Sequence, residues 1–583
     1  MTIKSRGMAA IGLALTLAVT ACSQQTTPPA ATSTVAPTVA AQRGAGGDLK
    51  ILYWQSVTNL NTHHAQGTKD YDAGALFLEP LAHTGPDGKP VPYLALEIPT
   101  VANGGIAKDF TSITWKLKPN VKWSDGTDFT SADVVFTWKY VTDKATAATD
   151  SSKFEGVKSV EAVDKTTVKV SYGSAYPNIY SAFVSGLGNI IQEKQYKDFI
   201  GAKAKDEPKI PVGTGPYKVT DFKPEDTVTY AINDLYRDAN KPFFKTVTFK
   251  GVADATQAAR AVCQTGEADY AWNLQVEATV LKPMVDAGDS KCKFSTSPGP
   301  NVERILINRS NPDSTLGDKR SEPETQHPFL SDIKVRKALS MAIDRTPIAA
   351  LYGPGLTGAA TCNIVVGVEA YTSKATASMD ICKYDIAAAN KLLDDAGATK
   401  GADGKRSWKG KPMKILYQTT INPLRQKEQD IVKNGWTQLG IDVELKSVKG
   451  GVFFGTDSDD SAARFFADVE MFTNGSDSTD QTDYLSGWTC AEIKTKSAAW
   501  SGNNYERWCN KDFDALYKQL TTETDDAKRN DLVTKMNDLL VSDVAVIPLV
   551  ARTQPSDGYN KAIKGIIPNA WDSVLWQIAD WSK

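Results

Sequence analysis

Short stretches in which apolar and polar residues alternate recur along the chain from Asp48 onward, and amphipathic helical stretches stand between them. Alternation with a period of two indicates β-strands, whereas apolar residues three to four positions apart indicate helices. Strands that alternate with helices predict an α/β or mixed fold. Because the chain has 583 residues, it exceeds what one hydrophobic core supports, and we expect two or three lobes.

The segment VKWSDGTDFTSADVVFTWKY, residues 121–140, combines a turn signal with a helix start. Asp125 and Gly126 suit the positive φ angle of a tight turn. Thr130 stands at an N-cap position, and Asp133 follows three residues later, as in a capping box. Apolar side chains after Asp133 then share one helical face. The segment predicts a strand end, a turn and a capped helix.

Residues 1–21 differ in character from the rest. Basic residues precede a short apolar run, Met8–Ala21, which is typical of a signal peptide and too short to span a bilayer comfortably. Cys22 follows small residues in a pattern that resembles a bacterial lipobox, where the cysteine thiol takes a lipid. Residues 22–47 have no apolar periodicity, so we expect a disordered tether. The folded part should begin near Asp48.

Six cysteines remain besides Cys22, and an even number in an exported chain indicates disulfide bonds. The sequence alone allows many pairings. Pairing each cysteine with its neighbour along the chain gives Cys263–Cys292, Cys362–Cys382 and Cys490–Cys509. A metal site is the competing interpretation. The chain has no CxxC spacing and only four histidines, so we predict no metal.

Composition and motifs narrow the function. Lys and Arg total 66 against 68 Asp and Glu, and no long basic run occurs, which argues against nucleic-acid binding. No GxSxG motif or other catalytic set stands out, so we predict no enzyme activity and no cofactor. The GTGP sequence at 213–216 lacks the Lys of a phosphate loop, and a structural turn is the better interpretation. We interpret His63 and His64 as part of a solvated loop.

Six stretches occur in a characteristic order: the strand, DG turn and helix of 115–140, PVGTGPYKV at 211–219, VRKALSMAIDRTPI at 335–348, YDIAAANKLLDDAG at 384–397, LGIDVEL at 439–445, and the acidic segment ADVEMFTNGSDSTDQTDYL at 467–485. Together they resemble family 5 of the extracytoplasmic solute-binding proteins, which serve peptide and nickel ABC importers. The similarity covers nearly all of residues 48–583. It implies a protein that binds a solute and performs no chemistry of its own.

The resemblance also implies a periplasmic-binding-protein-like α/β fold with three lobes. Two mixed α/β lobes would enclose a hinged ligand cleft, and a third lobe would be inserted. The implied boundaries are 48–82, 212–308 and 549–583 for lobe I, 83–211 for lobe II, and 309–548 for lobe III. The ligand would be caught between lobes I and II on one side and lobe III on the other when the hinge closes.

Peptide binders of this family use an aspartate in the acidic segment to hold the α-ammonium group of the ligand. The physical reason is that a cation leaving water requires a paired anion. Asp477 precedes Asp480 by three residues, a spacing that resembles the DxxD of dipeptide-type members. The Asp-Pro of the family pattern is missing, so the choice among Asp477, Asp480 and Asp483 stays open, with Asp477 preferred. A solvated polar loop is the alternative.

The predicted ligand-binding set comprises Asp477, Tyr484, Trp488, Trp54, Tyr53, Asn474, Thr58 and Arg425. The aromatic members are candidate walls that accept varied side chains. Tyr53 alternates with Trp54, so one should face the cleft and the other the interior. Arg425, and also Arg304, are candidate partners for a peptide C-terminus.

The resemblance therefore implies the substrate-binding component of an ABC importer, which captures di- or oligopeptides outside the cytoplasmic membrane and delivers them to the permease. We expect a monomer in the bacterial cell envelope, held at a membrane through the lipid on Cys22. A first alternative is the same fold binding oligosaccharides through stacked Trp. A second is a cell-envelope hydrolase or chaperone.

Overall fold

The computed structural model describes residues 42–583 except 66, 253, 354–357 and 477, and of 297, 298, 554 and 555 it describes only the backbone. The predicted signal peptide, Cys22 and residues 22–41 of the predicted tether lie outside the described residues. Within the described part of the chain, no helix has the length and apolar character that crossing a membrane requires.

Strands and helices alternate along the chain, and the predicted α/β class is confirmed. The strands are β1 (Asp48–Tyr53), β2 (Ala82–Thr84), β3 (Pro90–Pro92), β4 (Ser112–Lys116), β5 (Val157–Asp164), β6 (Thr167–Tyr172), β7 (Tyr217–Lys223), β8 (Thr227–Ile232), β9 (Thr246–Gly251), β10 (Tyr270–Ala271), β11 (Cys292–Ile307), β12 (Gly358–Ala360), β13 (Ala398–Lys400), β14 (Arg406–Trp408), β15 (Lys411–Pro412), β16 (Lys414–Thr420), β17 (Asp442–Val448), β18 (Val469–Asn474) and β19 (Val546–Asn560). The helices are α1 (Thr68–Gly74), α2 (Ser131–Thr142), α3 (Glu193–Tyr196), α4 (Ala255–Arg260), α5 (Ala278–Asp286), α6 (Ile333–Met341), α7 (Arg345–Tyr352), α8 (Ile386–Asp395), α9 (Pro423–Gln438), α10 (Gly450–Phe453), α11 (Thr482–Ser486), α12 (Lys511–Leu520) and α13 (Asp526–Ser542).

The largest sheet has 11 strands, in the order β17-β16-β18-β11-β19-β10-β1-β9-β8-β7, with β12 paired to β19. β1 is parallel to β9 and β10, whereas β11 is antiparallel to β18 and β19. The long pair β11 and β19 joins the two halves of this sheet. Its register shifts between Thr296 and Val302, so the pairing is irregular where the two halves meet.

Three large apolar clusters form the main cores. The first draws its residues from 49–78, 217–292 and 563–581, the second from 81–204, and the third from 305–443, 469–471 and 541–550. Smaller clusters lie beside the third and include Trp488 and Phe472. The chain therefore buries its apolar residues in several separate cores, as its length predicts.

The segment 121–140 forms the predicted turn and helix. Gly126 has φ +90°, and its N–H donates to the carbonyl of Trp123 at 2.9 Å. The Thr130 side chain caps α2, and the Asp133 carboxylate accepts the Thr130 N–H at 2.9 Å, which closes the capping box. The helix packs its apolar face into the second core. These contacts stabilise the fold and lie away from the cleft described below.

Residues 213–216 form a turn packed against the backbone before β2. A Cβ on Gly213 would lie 1.9 Å from the Phe77 carbonyl oxygen, and the Gly215 N–H donates to that oxygen at 2.9 Å. The interpretation as a structural turn is confirmed.

The segment 335–348, one of the six family motifs, spans two helices. α6 ends at Met341 and α7 begins at Arg345, with the Asp344 side chain capping α7. The three predicted disulfides, Cys263–Cys292, Cys362–Cys382 and Cys490–Cys509, are all present.

Candidate ligand-binding cleft

A cleft of about 1170 Å³ is lined by strands from the middle of the main sheet. β11, β18 and β19 contribute Arg304, Thr473 and Arg552. The other walls are formed by loops that adjoin the first and second apolar clusters, and by residues within 451–506. The volume exceeds the roughly 300–1,000 Å³ typical of pockets for small molecules. The cleft therefore has room for an extended ligand.

Trp54, just after β1, lines the cleft, and its Nε1 donates to the Asn273 carbonyl at 3.0 Å. Tyr53 points the other way, because its ring is fully buried and its hydroxyl donates to Asp72 at 2.7 Å. Trp272 stacks on both rings, at 4.6 Å from Tyr53 and 5.9 Å from Trp54. The structure thus corrects the prediction for Tyr53, whose ring and hydroxyl are both used in the core.

Arg304 on β11 reaches the cleft between two aromatic rings. Its guanidinium carbon lies 5.4 Å from the ring centres of Phe472 and Trp488. Its Nη1 donates to the Tyr484 hydroxyl at a long 3.4 Å, and its Nε is buried without a hydrogen-bond partner. The predicted residues Tyr484 and Trp488 both line the cleft and pack edge to face on each other. The structure brings these aromatic residues together around a cation.

Arg425 also lines the cleft, but it is not available as predicted. Its Nε donates to Glu303 at 2.8 Å, and its Nη1 donates to Thr420 at 2.9 Å. Arg552 approaches the same Glu303 carboxylate at 3.6 Å, and Thr473 donates a hydrogen bond to it. The structure therefore corrects the prediction: Arg425 holds a buried carboxylate instead of presenting an unpaired guanidinium.

Glu303, Arg425 and Arg552 form a buried cluster together with a second glutamate, Glu428. The two glutamates have pKa shifts in opposite directions. Burial raises the pKa of Glu303, but the adjacent Arg425 and Arg552 outweigh burial and hold the pKa below its usual value. Burial and then the charge of Glu303 raise the pKa of Glu428 to about 8, so Glu428 is protonated at neutral pH. Arg425 and Arg552 therefore share the Glu303 carboxylate, while the charged form of Glu428 is disfavoured beside it.

The three candidate aspartates of the acidic segment, Asp477, Asp480 and Asp483, do not share one environment. Asp477 is outside the described residues, so the preferred anchor remains a prediction. Asp480 pairs with Arg529 and lies away from the main cleft. Asp483 lines the cleft, accepts from Asn178 and Ser181 at 2.9 Å each, and lies 3.3 Å from Lys153. Asp483 is therefore the described aspartate of this segment that faces the cleft.

Thr58 and Asn474 complete the predicted set, and both line the cleft. The Thr58 N–H donates to Asp70 at 2.8 Å, which fixes the loop after β1. Asn474 is exposed at the end of β18, and its side-chain oxygen accepts the Gly475 N–H at 2.9 Å. The Asn474 amide nitrogen has no hydrogen bond to the described residues, so it remains a candidate ligand contact.

Lys494 is a cleft residue that the sequence reasoning missed. Its Nζ donates to the Trp500 carbonyl at 3.0 Å and lies 4.4 Å from the ring centre of Tyr505. Burial, and then the positive charge of Arg507, lower the pKa of Lys494 to about 7. Trp272, Glu303 and Arg552 were missed as well. A charged residue inside an otherwise apolar strand, as in NVERILI and IPLVARTQ, is the signal that could have found Glu303 and Arg552.

His63 corrects the interpretation of a solvated loop. Its side chain is fully buried, and its Nδ1 lies 2.7 Å from Asp150. Among the described residues, the one grouping that could hold a metal ion is Cys490, Cys509 and Asp514. Its two sulfurs are already joined in a disulfide, so it does not fit a metal.

The chain is similar in sequence to known proteins. The sequence model of the family described as Bacterial extracellular solute-binding proteins, family 5 Middle, matches residues 89–527. The chain is 25% identical to the dipeptide-binding protein DppE of Bacillus subtilis, over 86% of both chains. It is 26% identical to the glutathione-binding protein GsiB of Escherichia coli, over 87% of this chain and 89% of GsiB.

Solved structures share the fold. The oligopeptide-binding protein AppA of Bacillus subtilis, in complex with a nonapeptide, superposes with a TM-score of 0.77 at 21% identity, over 93% of this chain and 99% of AppA. NikZ of Campylobacter jejuni, in complex with Ni(L-His), gives a TM-score of 0.75 at 21% identity, over 92% of this chain and 99% of NikZ.

Proposed function

Because the chain belongs to family 5 of the bacterial extracellular solute-binding proteins, we propose that it captures peptides outside the cytoplasm and delivers them to the permease of an ABC importer. The observation that carries the peptide assignment is the mixed charge of the cleft. Asp483, which also lies 3.3 Å from Lys153, is on one wall, and Arg304 and Arg552, the latter 3.6 Å from Glu303, are on the sheet side of the cleft. A zwitterionic chain needs both signs of charge when it leaves water, whereas a neutral sugar needs neither.

The two predicted tryptophans of the cleft, Trp54 and Trp488, also favour a peptide over an oligosaccharide. Trp54 is stacked on Trp272, and Trp488 carries Arg304 near its ring, so little of either indole remains free. Trp54 is 6% exposed and Trp488 is 3% exposed. A sugar-binding platform requires an open aromatic face, which neither ring offers. Side-chain amides that line the cleft, such as those of Asn273 and Asn301, suit the main chain of a peptide.

The same proposal includes three lobes and a hinge. The proposal is supported by the apolar clusters, since the first draws mainly on the segments proposed for lobe I, the second on those for lobe II and the third on those for lobe III. We place the hinge in β11 and β19, near the register shifts between Thr296 and Val302, since irregular pairing there would let the two halves of the sheet bend. A ligand-dependent fall in the radius of gyration, measured by small-angle scattering, is the expected result.

We further propose that residues 1–21 direct export, that Cys22 carries a lipid, and that the protein works as a monomer beside the permease. The basic start, the short apolar run and the lipobox-like sequence support this part. Mass spectrometry should find a lipid on Cys22 in membranes of an expressing bacterium. A Cys22→Ser variant should lose the lipid and leave the membrane fraction.

Calorimetry with the purified chain tests the peptide assignment. Pools of di- to nonapeptides should bind with micromolar or tighter affinity, and neutral oligosaccharides should give no heat of binding. Heat from oligosaccharides alone would favour the first alternative. Turnover of any ester, glycoside or peptide substrate in a parallel activity screen would favour the envelope hydrolase and contradict the proposal.

A further inference from the structure

Glu207 is a carboxylate on the cleft wall that has no cationic partner among the described residues. It lines the cleft, and its side chain is only 11% exposed. In the part of the chain that the structure describes, the one basic nitrogen within 4.0 Å of this carboxylate is Nε2 of His64, at 3.9 Å. Burial, and then the charge of His63, lower the pKa of His64 to about 4, so this imidazole is neutral at neutral pH. A carboxylate that leaves water without a cation is in an unfavourable environment.

Hydrogen bonds hold one oxygen of this carboxylate and leave the other open. The Tyr140 hydroxyl and Asn61 Nδ2 both donate to Oε2 of Glu207, the amide at 2.9 Å. Oε1 accepts no hydrogen bond from the described residues, and it keeps some accessible surface. Because the one hydroxyl proton of Tyr140 goes to Glu207, His64 donates its Nε2 proton to Tyr140 at 2.8 Å. The carboxylate is therefore fixed in place, with one oxygen available to a cation in the cleft.

The pKa of Glu207 shows the effect of burial without a cation. Burial raises this pKa, and the hydrogen bonds from Tyr140 and Asn61 oppose the rise without cancelling it. His63 also lowers the pKa, but its side chain lies 2.7 Å from Asp150, which offsets its charge. A cation in contact with Glu207 would favour the ionised carboxylate and form a charge-assisted hydrogen bond with it.

The cleft wall beside Glu207 combines small apolar side chains with solvated lysines. The segments 144–148 and 201–207 hydrogen-bond to each other and place five alanines on the cleft lining: Ala145, Ala147, Ala148, Ala202 and Ala204. Lys205 and Lys209 line the cleft too, but both are exposed and neither comes within 4.0 Å of the Glu207 carboxylate, so water screens their charge. An aliphatic chain with a charged end, as in lysine or arginine, matches an alanine-lined wall that carries a carboxylate.

We propose that Glu207 binds the charged end of a lysine or arginine side chain of the ligand, so that the protein prefers basic peptides. This inference rests on the proposed peptide-binding function and names its substrate class. The α-ammonium group of the peptide is expected at the acidic segment, where Asp483 accepts from Asn178 and Ser181. Glu207 shares no hydrogen-bond partner with Asp483 among the described residues, so the two carboxylates are separate positions on the cleft.

Matched peptides test the inference on the intact chain. Alanine-based tetrapeptides carry lysine or norleucine at each position in turn, and calorimetry measures their affinities. Norleucine keeps the aliphatic chain of lysine but lacks the ammonium group. We expect lysine at one position to bind about 10- to 100-fold more tightly than norleucine, the range for a hydrogen bond to a charged group. A second set with acetylated N-termini reports separately on the α-ammonium group.

Substitution of Glu207 must then remove the preference for lysine. In Glu207→Gln the ratio of the lysine and norleucine affinities should fall to about one, whereas Glu207→Asp should retain part of it because the charge remains. Glu155→Gln is the matched control, since Glu155 also accepts a tyrosine hydroxyl, that of Tyr517 at 2.7 Å, but does not line the cleft. It should keep the wild-type ratio. Should Glu207→Gln fail to fold, the Asp variant and the wild-type peptide arms still decide.

Two results would overturn the inference while leaving the proposed function intact. One is equal affinity of the wild type for lysine and norleucine at every position. The other is an unchanged preference for lysine in Glu207→Gln; if that variant no longer distinguishes free from acetylated N-termini, Glu207 binds the α-ammonium group instead. Absence of binding by any peptide would instead contradict the peptide-binding function itself.

Discussion

Replacing Glu303 by Gln should destabilise the folded chain strongly. Glu303 is 0% exposed, and its carboxylate is the shared partner of Arg425 at 2.8 Å and Arg552 at 3.6 Å. Neutralising it leaves two buried guanidinium groups without the carboxylate that both of them contact. Removal of one partner of a buried ion pair typically costs about 3–5 kcal/mol, and with a urea slope of about 3 kcal/mol/M for a chain of this size this lowers the unfolding midpoint by about 1–2 M. Circular dichroism during urea titration measures it.

The same substitution at an exposed pair is the matched control. Glu444 pairs with Lys414 at 3.0 Å, but both side chains are 58% exposed. Exposed pairs contribute about 0–1 kcal/mol, so Glu444→Gln should unfold almost like the wild type. If Glu303→Gln also unfolds like the wild type, the Glu303 carboxylate does not stabilise the fold through Arg425 and Arg552.

The raised pKa of Glu428 predicts how its contribution to stability changes with pH. Its folded pKa is about 8, against an ordinary value of 4.5, so the folded chain binds more protons than the unfolded chain between these values. Stability from this group is therefore greatest below about pH 4.5 and falls as the pH rises toward 8. Glu428→Gln mimics the protonated acid. It should be nearly neutral at pH 5 and stabilising at pH 9, relative to the wild type, and equal effects at both pH values would contradict the assignment.

Three further predictions concern the scaffold, and urea titration measures each. Gly213→Ala should destabilise the chain by about 1–3 kcal/mol or more, because the new Cβ would lie 1.9 Å from a backbone oxygen. Gly173→Ala is the control and should not destabilise it, because open space surrounds that position. Equal effects of the two substitutions would contradict the close packing at Gly213. Thr130→Ala should cost about 1 kcal/mol through loss of the α2 cap, and no change would argue against the capping box. Replacing the Cys263–Cys292 pair by Ala should cost about 3–4 kcal/mol from the freed loop of 29 residues; unchanged stability would show that the bond is not formed in solution.

Local signals in the sequence predicted local structure well. The Asp125-Gly126 turn and the Thr130 cap formed as expected because each depends on residues a few positions apart. The pairing of neighbouring cysteines was also right, since the partners lie 19 to 29 residues apart. The order of the six family motifs was sufficient to predict the family and, through it, the arrangement of the α/β fold.

The cleft was less predictable, because its geometry depends on residues far apart in the chain. Arg425 was expected to face a ligand, but the anion that holds it is Glu303, 122 residues away. Tyr53 and Trp54 alternate, but the sequence did not show which one the core would take. That choice depends on Asp72, which accepts the Tyr53 hydroxyl, and on Trp272, which stacks against both rings. No periodic pattern encodes such contacts.

Native mass spectrometry of the protein purified from an exporting bacterium tests the central claim most directly. The account predicts a non-covalent complex whose extra mass, released by collision, fragments into amino-acid residues. A ligand that fragments into hexoses, or a protein that remains free of ligand and takes up none from a mixed peptide pool, would contradict it.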